Sequence, residues 1–114
     1  MSSTGAQAEQ WAAQFLRQQG LEPVAMNYRG RFGEIDLIMR DGAMLVFVEV
    51  RLRRNADFGG AAASIDTRKQ QCLVRTAQQY LAGLTGTPPC RFDAVLMDDA
   101  QGGNAQWLRN AFEA

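Results

Sequence analysis

The stretch from Gly33 to Arg53, GEIDLIMRDGAMLVFVEVRLR, decides how this chain folds. It contains two apolar strands, Phe32 to Met39 and Ala43 to Leu52, joined at Asp41-Gly42, a dipeptide that favours a two-residue hairpin turn. With those two residues as the turn, Arg40 faces Ala43, Glu34 faces Glu49, and Asp36 faces Phe47. Side chains alternate along a strand. Glu34, Asp36, Glu49 and Arg51 therefore emerge on one face, and Ile35, Leu37, Val46, Val48 and Val50 on the other. Carboxylates opposed across neighbouring strands repel, so the sequence sets two explanations side by side. Either the charged face is simply wet, as one side of an antiparallel hairpin often is, or a divalent cation gathers the acids. Hard ions such as Mg²⁺ take one or two carboxylates together with water and phosphate oxygens. The second explanation requires Asp36 and Glu49 to project from the same surface.

The flanking segments supply candidates to complete such a site. A helix is expected from Gly5 to Gln19, where Ala8, Trp11, Ala12, Phe15 and Leu16 recur at helical spacing and Gly20 supplies a stop. Thr4 and Gln7 resemble a capping box. Glu9 borders the apolar stripe. A strand from Val24 to Arg29 follows. After the hairpin comes a loop, Arg53 to Ala63, ending in the small residues Gly59 to Ala63. A long helix from Ile65 to Leu84 carries a stripe of Ile65, Cys72, Leu73, Thr76, Ala77, Tyr80 and Leu81. Lys69 lies on the same line and so points at the sheet. Gly83, Gly86, Pro88 and Pro89 end the helix. Phe92 to Met97 reads as a strand, and Trp107 to Phe112 as a strand or short helix. The order is αβββαβ with one extra element, an α/β fold in which a mixed central sheet is flanked by helices, forming a single domain over residues 1–114.

Composition narrows the chemistry. The chain has no histidine, which removes Ser-His-Asp and Cys-His nucleophile systems and histidine-ligated metals. Twelve basic residues balance twelve acidic ones, and Lys69 is the single lysine. Zero net charge argues against a generally adhesive polycation. The basic residues nevertheless cluster: Arg51, Arg53, Arg54, Arg68, Lys69 and Arg75 fall within one segment, as either a solvated face or a binding track. Cys72 and Cys90 show no zinc or redox spacing, and Cys72 reads as a buried small hydrophobe. The longest apolar run, Ala43 to Val48, is far shorter than the ~20 residues of a membrane helix. With no leader pattern at the start, the expectation is a cytoplasmic protein with no membrane partner.

The blocks NYRGRFGEIDLI, LVFVEVRLR, DTRKQQ with AQQYL, and RFDAVL resemble the small bacterial YraN-like endonuclease-related family. Asp36 followed by Glu49-Val50-Arg51 resembles the PD-(D/E)xK active-site pattern of the restriction-endonuclease-like superfamily, whose core order is αβββαβ. The resemblance implies Asp36, Glu49 and the Val50 carbonyl as ligands of Mg²⁺ or Mn²⁺. It also implies Glu9 as the first-helix acid that completes some of these sites, while Glu34 matches the GEID block without an assigned role. Arg51 stands where the pattern has lysine. Arginine can stabilise charge on a phosphate but is too basic to act as a general base, which leaves Arg51 with an electrostatic role, Lys69 as a helper, or a protein that no longer cuts.

The leading expectation is a metal-dependent nuclease acting on DNA or structured nucleic acid, DNA more readily than RNA, with catalytic residues Glu9, Asp36, Glu49, Arg51 and Lys69. Arg53, Arg54, Arg68 and Arg75 would contact flanking phosphates, and a homodimer is left open. The first alternative is a catalytically inactive nucleic-acid-binding module of the same fold. The second is a protein-interaction domain seeded by Trp107 and Phe112.

Overall fold

The computed structural model describes residues 3–53 and 65–113. Helix α1 spans Thr4–Gln18 and buries Ala8, Ala12 and Leu16, one residue per turn of a single stripe. Ser3, not Thr4, caps it: the Ser3 hydroxyl accepts the Ala6 N–H at 3.1 Å. Helix α2 spans Thr67–Ala82 and buries Leu73, Thr76 and Ala77. The Asp66 side chain caps it by accepting the Lys69 N–H at 2.8 Å. Cys72, expected to be buried, is half-buried.

Five strands form one sheet in the order β1 (Glu22–Gly30), β2 (Gly33–Asp41), β3 (Met44–Leu52), β4 (Cys90–Met97) and β5 (Gln106–Phe112). All neighbours are antiparallel except β3 and β4, which run parallel from Leu45 beside Cys90 to Leu52 beside Met97. The parallel step is possible because α2 lies between the two strands in sequence and supplies the crossover. The mixed α/β architecture is therefore as expected, with Gln106–Phe112 a strand. The small-residue stretch 59–63 lies outside the described residues.

Both faces of the sheet are covered, as the flanking helices of the expected fold require, so the hairpin does not present one wet face. Leu37, Met39, Val46, Val48, Val95 and Met97 pack with Ala8, Ala12 and Leu16 of α1. Ile35, Ile38, Leu45, Phe47, Phe92 and Ala94 pack with Leu73 and Ala77 of α2. A central strand buried on both sides needs apolar residues at successive positions, and LVFV at 45–48 provides them.

The hairpin register also differs from expectation. Asp41 pairs with Met44 and Leu37 with Val48, so Gly42 and Ala43 form the turn. Gly42 adopts φ 61°, and glycine at the first central position satisfies a primed turn without needing Asp41 inside it. The one-residue displacement overturns the pairings of Glu34 with Glu49 and Asp36 with Phe47.

A buried polar cluster ties the far side of the sheet together. Asp93 is 1 % exposed and accepts hydrogen bonds from Arg91 Nε at 3.0 Å, the Trp107 indole N–H at 3.0 Å and the Asn110 backbone N–H at 2.9 Å. Arg91 also donates to Asp41 at 2.9 Å, linking the β2–β3 turn to β4. Trp107 is half-buried and Phe112 stacks on Phe92 with centroids 4.8 Å apart, so both belong to the packing of the last strand. Replacing Asp93 by alanine strands the Trp107 indole N–H, the Asn110 backbone N–H and a guanidinium. The expected cost is about 3 kcal/mol, read as a fall in the urea midpoint at unchanged m-value, with Asp93→Asn intermediate.

Candidate active site

The β2–β3 ladder stops at Leu37 and Val48, while β3 continues beside β4 to Leu52. The two strands separate into a fork, and Asp36 sits in it. One of its carboxylate oxygens, Oδ2, accepts the Val50 backbone N–H at 2.9 Å, taking the place that a main-chain acceptor of β2 would have held. The N–H and C=O of one strand residue point to the same edge, so the Val50 carbonyl also faces the fork.

The pleat changes step here. Ile35 and Ile38 both pack on the α2 side although three residues apart, whereas Leu37 and Met39 pack on the α1 side. On β1 the same offset appears between Ala25 and Tyr28, with Asn27 between them at φ 55°. Strict alternation therefore fails at Asp36. Its carboxylate belongs to neither face but to the gap, where it meets acids from both.

From the α1 side comes Glu9. One ligand oxygen each from Glu9, Glu34 and Asp36 lies within 4.8 Å of the others. Burial and the charge of Asp36 push the Glu9 carboxyl up to about 7, against a hydrogen bond with Asn27 that favours its charged form. From the α2 side comes Glu49, only 5 % exposed, with Lys69 Nζ 3.4 Å from its Oε2. Burial, then the neighbouring Asp36 carboxyl, push Glu49 up to about 8, and the positive charges of Lys69 and Arg51 only partly offset this. Glu49 Oε2 is buried with no hydrogen-bond partner, as is Nε of Arg51.

Glu9, Glu34, Asp36, Glu49, Arg51 and Lys69 are thus brought together around one fork. The remaining basic candidates fall on different elements. Arg53 is held against the β4–β5 connection by Asp98 at 3.0 Å, Gln106 at 3.3 Å and the Asn104 carbonyl. Arg68 and Arg75 are exposed on α2. Arg54 lies outside the described residues. Asn27 was missed from sequence; an asparagine, the residue that best tolerates left-handed backbone after glycine, inside an alternating strand was the available signal.

A family model described as "Uncharacterised protein family UPF0102" matches residues 8–97. The chain belongs to the UPF0102 family. A UPF0102 protein of Nitrosomonas europaea is 58 % identical over 109 residues, covering 96 % of this chain and 92 % of the relative. One from Methylobacillus flagellatus is 50 % identical over 114 residues and 100 % of both chains. Another, from Cupriavidus taiwanensis, is 55 % identical over 112 residues, covering 96 % of this chain and 82 % of the relative. The matched span contains Glu9, Glu34, Asp36, Glu49, Arg51 and Lys69. Among the described residues no helix is long and apolar enough to cross a membrane.

The raised carboxyls link stability to pH. Between the ordinary value of 4.5 and about 8, folded Glu49 binds more proton than it does in the unfolded chain. The stabilisation is complete below about 4.5 and is lost as pH rises through 8. In metal-free buffer the urea midpoint is expected to fall between pH 5 and pH 8, and Glu49→Gln is expected to flatten that fall and raise stability at pH 8 by a few kcal/mol.

Proposed function

We propose that this UPF0102 protein is a Mg²⁺- or Mn²⁺-dependent endonuclease of the restriction-endonuclease-like superfamily, close to its YraN-like group, acting on DNA or structured nucleic acid. The observation that carries the reading is the fork itself. Asp36 replaces a ladder partner of Val50 while Glu9 and Glu49 converge on it from opposite layers.

The residues fit a hard divalent cation. The donors are carboxylate oxygens and a backbone carbonyl, and one carboxylate oxygen, Glu49 Oε2, is buried with no hydrogen bond, the Lys69 ammonium 3.4 Å away offsetting part of its charge. Asp36, Glu49 and the Val50 carbonyl would hold the ion, with Glu9 alongside. When bound, the ion supplies an acidified water and offsets charge on the scissile phosphate.

The protein's own side chains divide the remaining work. Arg51 lies next to Glu49 with its Nε unpartnered and presents a planar donor set to phosphate oxygens, stabilising charge that builds during attack. Its basicity rules out proton abstraction. Lys69 balances Glu49 and holds that carboxylate toward the fork. Arg68 and Arg75 contact phosphates that flank the cut, which fixes register without reading sequence. Arg53 is already engaged by the β4–β5 connection, and its contribution is to steady the end of β3.

A second reading, a binding module that does not cut, draws on Arg51 at the position where the pattern has lysine. Calorimetric titration of Mn²⁺ and cleavage assays on branched, duplex and single-stranded DNA separate the two. The nuclease reading expects Mn²⁺ binding that disappears in Asp36→Asn and cleavage that falls at least about 100-fold in Glu49→Gln. Nucleic-acid binding with no cleavage at any Mn²⁺ concentration assigns the protein to the second reading.

A further inference from the structure

The turn between β1 and β2 exposes a phenylalanine close to the fork. Phe32 is 46 % exposed, and two guanidiniums from different elements approach its ring: Arg31 Cζ at 6.0 Å and Arg75 Cζ, from α2, at 5.5 Å from the centroid. A solitary exposed aromatic is ordinary on a protein surface. This one is mounted on a fixed support. Gln79 of α2 accepts the Arg31 backbone N–H at 2.9 Å. Gly30 approaches α2 so closely that a Cβ there would stand 2.5 Å from Gln79 Oε1 and 3.3 Å from a Thr76 methyl. The turn is pinned to the helix while its one large apolar side chain faces water.

We infer that Phe32 is a stacking platform for an unpaired nucleobase, so that the substrate class is nucleic acid containing a single-stranded segment. The inference rests on the nuclease reading of the fork and specifies its substrate. An aromatic ring binds any base through its π-face, which gives affinity without sequence preference. In a duplex both faces of each base are already stacked, and reaching one requires pulling it from the stack. Arg31 and Arg75 lie over the ring, so a stacking base displaces at least one guanidinium, which stays within reach of the nucleotide's phosphate or stacks on the base in turn. Phe32, in the turn just before β2, precedes Asp36 by four residues. At ~3.3 Å per residue that is at most roughly 13 Å, or up to about four stacked nucleotides at ~3.4 Å each. The gripped base then lies a few nucleotides from the cut.

The test measures fluorescence anisotropy without divalent cation at about 50 mM salt, using a labelled blunt duplex and the same duplex with a single-stranded overhang, each as DNA and as RNA. The full chain is expected to bind the overhang form at least about tenfold more tightly. Phe32→Leu, which keeps an apolar side chain of similar size at a surface position, is expected to lose that preference at an unchanged melting temperature. Phe32→Trp is expected to retain it and to show quenching of tryptophan fluorescence on binding beyond that of the unaltered chain. Equal binding of both forms by the unaltered chain, or a preference that Phe32→Leu leaves intact, overturns the inference. Overhang preference without any Mn²⁺-dependent cleavage supports the platform and ends the nuclease reading, whereas cleavage indifferent to Phe32 does the opposite.

Discussion

The hydrogen bond from the Val50 N–H to the Asp36 carboxylate governs the arrangement of everything around it. Where a side chain substitutes for a main-chain acceptor, the β2–β3 ladder ends and the strands part. The parting admits an acid from each layer. Without it, Glu9 on α1 and Glu49 beside Lys69 of α2 would be kept apart by a closed sheet. The arrangement has a cost: burial and the neighbouring Asp36 raise Glu9 against a hydrogen bond with Asn27, and raise Glu49 against the charges of Lys69 and Arg51. A sheet built for stability alone would continue the ladder and fill the gap with aliphatic side chains. The retained acids are therefore local instability held in place by a well-packed frame.

That frame is the two-sided core. Phe47 stacks on Phe92, and Phe92 on Phe112, beneath α2, while Val46, Val48 and Val95 meet the small residues of α1 on the other side. Interdigitated aliphatic and aromatic contacts tolerate little displacement, so β3 is fixed along its length and Glu49 has no freedom to move away from Asp36. The Asp93 cluster extends the same rigidity to β5, where one buried carboxylate takes three donors.

Periodicity was enough to read the two helices and most of the strands, because each helix presents an unbroken stripe, while residues 107–112 stayed open between strand and short helix. Leu16 and Ala12 on α1, or Leu73 and Ala77 on α2, follow directly from 3.6-residue spacing. The charged face of the hairpin was readable as a problem, and the acids that cause it do converge. Three things were not readable. The turn fell one residue later than Asp41-Gly42 implied, because Gly42 serves equally well as the first turn residue. Which hairpin residues each flanking helix covers did not follow from alternation, although the run LVFV at 45–48 already had too few polar positions for a wet face. The break in alternation at Asp36 lies across the ladder from the left-handed Asn27, and such paired irregularities leave no periodic trace.

Asn27 has a counterpart at the opposite margin of the sheet. Asn110 on β5 adopts φ 54°, much as Asn27 on β1 adopts φ 55°, and these are the two outermost strands. Each asparagine turns its strand out of the regular extended path at a border where unpaired N–H and C=O groups would otherwise invite a neighbouring chain. Interrupted borders are poor templates for strand-by-strand accretion. The left-handed residue on one margin, and its echo on the other, thus leave both borders of the sheet poorly matched to a regular incoming strand.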